Sequence, residues 1–161
     1  MKNRLTLLAG ALLFALAVGA CAKSPPVATV APAAKHEHKA PHGGTPVVLG
    51  NETYHLELVR DATAGKLTAY VLDGEMENFV RVKAVSFEVV ANGSAENRVL
   101  TFRAVANAAT GESAGDTSQF EAQADWLKPT ATFDATLTSL EIKGTTFSAV
   151  PFNFPKGNDR D

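Results

Sequence analysis

The chain has 161 residues, with 15 lysines and arginines against 17 aspartates and glutamates, and 45% of its residues are hydrophobic. This even balance leaves no basic stripe of the kind nucleic acid requires and no polybasic cluster for an anionic membrane surface. A single cysteine excludes an internal disulfide, an iron–sulfur cluster and any multi-thiolate metal site.

Lys2 and Arg4 precede an apolar run from Leu5 to Val18, and Val18, Gly19 and Ala20 lead to Cys21. A charged start, a short apolar stretch and small residues at the cut define a secretory leader. A run of about 14 residues is too short to cross ~30 Å of hydrocarbon at ~1.5 Å per residue. The V-G-A-C ending resembles the bacterial lipobox, whose cysteine takes a lipid such as palmitate and becomes the first residue of the mature protein. Residues 1–20 are therefore expected to be a signal peptide and Cys21 the lipidation site. That would tie the protein to a membrane on the periplasmic side of the envelope. Ala22 and Lys23 lack the aspartate that this lipoprotein class links to inner-membrane retention, which points to the outer membrane.

Residues 21–41 carry Pro25, Pro26, Pro32 and Pro41 among alanines, valines and lysines, with no large apolar side chain. Such a segment cannot bury enough surface to offset its ordering entropy. It is expected to be a disordered tether, which at ~3.1 Å per residue reaches roughly 60 Å.

From Thr45 the pattern has period two, the mark of half-buried strands. In Thr53–Val59, Tyr54, Leu56 and Leu58 share one face, and His55 and Glu57 the other. Further runs span Lys66–Leu72, Val80–Val90, Arg98–Ala106, Thr117–Ala124, Thr132–Ile142 and Thr145–Phe152. Gly50-Asn51, Ala64-Gly65, Asp73-Gly74, Asn92-Gly93, Thr110–Asp116 and Lys143-Gly144 supply reversals. Asp125 is placed to cap one helical turn before Pro129. About eight short strands without long helices predict an all-β antiparallel β-sandwich over residues 42–155, Ig-like or transthyretin-like, with a small barrel as the alternative. Trp126 is expected to plug its core beside Phe87, Phe102, Phe120, Phe133 and Phe147, and residues 156–161 to form a disordered tail.

Three of the four histidines, His36, His38 and His42, fall in H-E-H-K-A-P-H-G-G. Neutral imidazole is the commonest side-chain metal ligand, and a short His-rich tract is a compositional sign of metal binding. Imidazoles beside Glu37 suit zinc, copper(II) or nickel and suit calcium poorly; a plain polar linker is the competing explanation. A two-residue turn at Gly50-Asn51 would set Val47 opposite Tyr54 and Gly44 opposite Glu57. His42, His55 and Glu57 would then share a face, with His42 in reach of Glu57 as a diagonal neighbour at ~7 Å. His55 would lie about 13 Å from His42 unless Gly43-Gly44 bends the chain back. In Asp73-Gly74-Glu75-Met76-Glu77, two carboxylates and a thioether could add ligands, Met76 favouring copper(I), although a solvated turn with a tucked methionine is the commoner form. No nucleophile elbow, H-E-x-x-H, phosphate loop or free thiol is present, so no enzyme is expected.

Pro41-His42-Gly43-Gly44-Thr45, Tyr54-His55-Leu56-Glu57-Leu58-Val59 and Tyr70-Val71-Leu72-Asp73-Gly74 together resemble small bacterial envelope lipoproteins with an H-G-G opening strand. The segment is similar to domains among heavy-metal efflux and metal-handling envelope proteins. The resemblance implies a metal role in which His42 and His55 match the motif, with Glu57 in the same strand. After the Asp73 turn, Glu75 and Met76 stand where a relative would carry histidine. The expected function is reversible binding of Cu, Zn or Ni by His36, His38, His42 and His55, with Glu57 orienting or ligating, in a monomer accessory to an envelope efflux partner. The alternative is a non-catalytic interaction module, in which Pro151-Phe152-Asn153-Phe154-Pro155 is either a docked last strand or an exposed partner motif.

Overall fold

The computed structural model describes residues 38–93 and 96–159; the expected leader, Cys21, His36 and most of the expected tether lie outside the described residues. The period-two runs form eight antiparallel strands: β1 (Thr45–Leu49), β2 (Tyr54–Asp61), β3 (Lys66–Asp73), β4 (Ser86–Asn92), β5 (Arg98–Ala104), β6 (Gln119–Gln123), β7 (Phe133–Ile142) and β8 (Thr145–Phe154). All eight belong to one sheet in the order β1-β2-β3-β6-β5-β4-β7-β8. The fold is all-β, as the alternation predicts, and the single sheet curls toward a closed barrel. A bulge between Glu88 and Val89, where β4 meets β7, raises the local bend and twist that such curling needs.

One apolar cluster fills the interior, and Phe87, Phe102, Phe120, Phe133 and Phe147 all belong to it. Phe152 and Phe154 of β8 are buried too, so Pro151–Pro155 is a docked last strand and not an exposed motif. Trp126 differs from expectation. It is only partly buried, edge-on to Phe133 with Arg98 stacked over it, while the neighbouring Leu127 is the fully buried plug. The turn there is a 3₁₀ turn, Asp125–Leu127, without a side-chain cap. The Asp125 carboxylate instead accepts from Lys128 Nζ at 2.8 Å. Val80–Val85 is not part of a strand, because β3 and β4 are not neighbours and this segment must cross between them.

The β1–β2 hairpin has a four-residue loop, Gly50 to Thr53, where two residues are expected. Left-handed backbone at Gly50 and Glu52 closes it. Val47 therefore faces Leu56, and Pro46 faces Glu57, a slip of two positions from the expected register. Because the side-chain period is two, every residue keeps its predicted face.

The sheet's two edges meet through the last residues. Val48 N–H donates to Asn158 Oδ1 at 2.7 Å, and Asn158 Nδ2 donates to the Val48 carbonyl at 3.2 Å. One side-chain amide thus stands in for a peptide unit of a missing strand. Thr45 Oγ1 donates to the Pro155 carbonyl at 3.2 Å, and Gly157 packs so close to Pro46 that no Cβ would fit. Within the expected disordered tail, Gly157 and Asn158 are instead structural, holding an edge of β1 that has no other partner among the described residues; residues 160–161 lie outside the described residues. Asn158→Ala leaves both Val48 groups unpaired and should cost about 1–3 kcal/mol; urea denaturation would show a lower midpoint at unchanged slope.

Candidate functional site

Strand β2 is buried on both faces. Leu56 and Leu58 enter the main core, while His55 and Glu57, on the opposite face, are fully buried as well. Pro46 and Tyr70 flank Glu57, and Val48 and Leu72 flank His55, because cross-strand partners share a face. The cover over this face is the strap from His38 to Gly44. The expected tether thus ends earlier than residue 41, since His38 already packs against the barrel.

The strap docks through Pro-His-Gly-Gly. Pro41 and His42 are the central residues of a turn closed by Gly43 N–H donating to the Ala40 carbonyl at 3.0 Å. Gly43 is left-handed at φ +67°. Gly44 lies flat on β2, where a Cβ would come within 2.7 Å of the Leu58 carbonyl and 2.8 Å of Glu57 Cγ. This geometry aims two backbone N–H groups at one oxygen: His42 N at 2.7 Å and Gly44 N at 2.9 Å from Glu57 Oε1. Such a concavity of main-chain donors is a small anion nest. His42 Nδ1 lies 2.7 Å from the other oxygen, Oε2. A carboxylate only accepts, so this nitrogen carries the proton. The His42 ring, partly exposed, stacks on Tyr70 at 4.0 Å and 16° and lies tilted 5.8 Å from Phe79.

His55 belongs to a different pair. Its Nδ1 lies 3.3 Å from the Asp73 carbonyl, which can only accept, so Nδ1 bears the hydrogen and Nε2 the lone pair. His38, on the strap, meets it edge-on, with ring centroids 4.7 Å apart at 75°. His55 Nε2 and His38 Nδ1 are both buried, and neither has a hydrogen-bond partner among the described residues. Burial, the largest influence, lowers the His55 imidazole below its ordinary value of 6.5, and His38 lowers it further. The Asp73 hydrogen bond and the charges of Asp159 and Glu52 oppose this without restoring it.

The structure thus brings His42 to Glu57, as the shared face predicts, but pairs His55 with His38 and not with His42. The two pairs share no ring contact or hydrogen bond among the described residues. His36 lies outside the described residues. The Asp73–Glu77 loop brings no carboxylate into hydrogen-bond contact with the described histidines. The Asp73 carboxylate receives the N–H groups of Glu77 and Asn78 and the Asn78 amide, and Glu75 and Glu77 are exposed. Met76 is buried at φ +56°, and like Leu72 it stands outside the main apolar cluster. Among the described residues no group of three or more His, Cys, Asp and Glu side chains is placed to hold a metal. Tyr70 and the Asp73 carbonyl are the participants that sequence reasoning missed; the β2–β3 hairpin register, Glu57 with Tyr70, would have revealed the first.

Among known proteins, the chain matches no family, no curated protein and no solved structure.

The His55 shift has a thermodynamic consequence. An unfolded chain binds a proton at His55 near pH 6.5, whereas the folded chain resists it. The stability contributed by neutral His55 is complete well above that pH and is lost as pH falls through about 6.5 toward the lower folded value. Urea denaturation should show stability declining between about pH 7.5 and 5.5, and His55→Phe should flatten that decline. Asp73 and Glu112 do not confound the window, because both carboxyls are held below the usual carboxylate range. Burial alone would raise them, but hydrogen bonds from Asn78 and Glu77, and from Thr110 and Ser118, outweigh it.

Proposed function

We propose that this chain is an envelope-anchored, non-catalytic carrier that binds one transition-metal ion reversibly, with His38 and His55 as its central ligands. The observation that carries this reading is the pair of buried imidazole nitrogens without partners, borne by two rings in edge contact. A buried nitrogen lone pair without a donor is costly, on the order of 1–3 kcal/mol. One cation bound by both would relieve both. The ring spacing supports it: with metal–nitrogen bonds of about 2.0–2.1 Å, two imidazoles on one ion at 90–110° have centroids about 4.4–5.3 Å apart, and the observed 4.7 Å falls inside that range. The Asp73 carbonyl fixes the His55 tautomer, as outer partners of metal-bound histidines do.

An all-imidazole donor set suits Cu, Zn or Ni. The remaining coordination positions fall to solvent or to His36, two residues upstream and within reach by chain length. Both Glu57 oxygens are taken by donors from the strap, so Glu57 orients rather than ligates. His42 commits Nδ1 to Glu57 and stands outside the pair. In this reading the Cys21 lipid keeps the carrier at the membrane, where it hands the ion to an efflux partner.

Calorimetric titration of the full chain with Cu(II), Zn(II) and Ni(II) at pH 7.5 tests this. One ion should bind per chain with micromolar or tighter affinity, and His55→Ala should abolish binding. His38→Ala should weaken it at least tenfold. Absence of saturable binding overturns the reading and leaves an envelope interaction module. The anchor has its own test: mass spectrometry should find lipid on Cys21, and Cys21→Ser should retain the leader.

A further inference from the structure

The ion proposed above would have one ligand on the barrel and one on the strap, so its affinity depends on what holds the strap down. Among the described residues, the strap's hydrogen bonds to the barrel all end on Glu57: the N–H groups of His42 and Gly44 on one oxygen, and His42 Nδ1 on the other. Glu57 is fully buried, and among the described residues the one basic side chain within reach of its carboxyl is His42. A carboxylate in that position is retained only while those donors cover it, since an uncompensated buried charge is strongly destabilising. Among the described residues the strap also meets this face through ring contacts, His42 on Tyr70 and Phe79 and His38 on His55, and through the packing of Gly44 on β2.

We propose that Glu57 is a latch: by docking the H-G-G turn it holds His38 against His55, and so sets the affinity of the metal site without touching the ion. The proposal rests on the metal reading above for its effect on affinity, and on the strap geometry alone for the docking. His55 sits on β2 within the sheet, whereas His38 sits upstream of the latch, on the side of the chain that leads to the tether. Release of the latch therefore separates the two imidazoles and leaves one. Glu57 is a positioning residue in this scheme, and Gly44 is its necessary counterpart, since any side chain there lifts the strap from β2. Gly43 differs: its left-handed conformation faces open space, so asparagine can replace it.

The test compares Glu57→Gln, Gly44→Ala, Gly43→Asn and His55→Ala in the full chain, with Trp126 fluorescence confirming an intact core. Docking is read without metal, by the nuclear Overhauser effect between the His38 and His55 rings and by trypsin cleavage after exposed Lys39. Affinity is read with Zn(II). Glu57→Gln and Gly44→Ala should lose the ring contact, be cut at Lys39 several-fold faster and bind Zn(II) about 10- to 100-fold more weakly, the range typical of lost outer-shell support. Gly43→Asn should match wild type. His55→Ala should lose Zn(II) yet keep the wild-type cleavage rate. Wild-type ring contact and cleavage in both Glu57→Gln and Gly44→Ala would overturn the latch, even where wild type binds Zn(II). A wild-type chain that binds no Zn(II) overturns the affinity claim together with the reading beneath it, and ring contact and cleavage then decide the docking alone.

Discussion

The arrangement of the histidine face depends on one buried carboxylate. Glu57 occupies the middle of β2 with no solvent exposure, and moving an ionised carboxylate out of water costs several kcal/mol even after relaxation. Three short hydrogen bonds from one turn offset that cost, and bonds to charged groups are worth roughly 1.5–3 kcal/mol each. The requirement runs in both directions. Glu57 needs a turn whose backbone donors converge, and Pro-His-Gly-Gly needs an anion to receive those donors. Pro41 suits the second position of the turn, Gly43 takes a left-handed conformation, and Gly44 permits contact without a Cβ. The motif is therefore explained by the carboxylate before any ligand is invoked.

Both ends of the barrel domain converge on β1. The strap runs directly into it from one side, and Asn158 and Pro155 hold its free edge from the other. A five-residue edge strand is otherwise a weak element and an invitation to pair with another chain. Here the Asn158 amide occupies the donor and acceptor that such a chain would use. The charge of Asp159, one residue further, bears on His55 from this same terminal segment. A domain without a disulfide thus ties its ends by side-chain amide and carboxylate, and those ties frame the face that carries the histidines.

The fold was legible where local pattern suffices. Alternation identifies the strands, and parity alone places His55 and Glu57 opposite Leu56 and Leu58, which survived a register slip of two. The loop length was not legible, because Gly50-Asn51 is an acceptable two-residue turn in isolation. The longer loop wins through tertiary contact, with Gly74 packed against the backbone of Glu52. Nor could period two reveal that β2 is buried on both faces, because polar residues at alternate positions signal solvent unless a covering segment is known. That cover comes from a stretch whose prolines and alanines resemble spacer. The pairing of His38 with His55 and not His42 follows from the direction in which the strap leaves its turn, a property of the folded backbone that spacing along the chain does not encode.

The two histidines of this face that carry an assigned tautomer have opposite consequences, though each donates through Nδ1. His42 donates to a carboxylate, and its ring is braced by Tyr70 and partly open to water. His55 donates to a neutral carbonyl at a longer distance, and its remaining nitrogen is enclosed without a donor beside a second ring in the same condition. Packing alone would favour an apolar residue at such a position, since an unmet buried acceptor only subtracts from stability. Asn153 Oδ1 is also unmet, but its amide nitrogen bonds Asp134 at the sheet surface, and no second unmet group adjoins it in the contacts described. The His38–His55 pair differs because two unmet nitrogens belong to rings in contact, and a single shared electrophile answers both. That asymmetry makes His38 and His55 the pair a cation would satisfy, while His42 and Glu57 hold the strap.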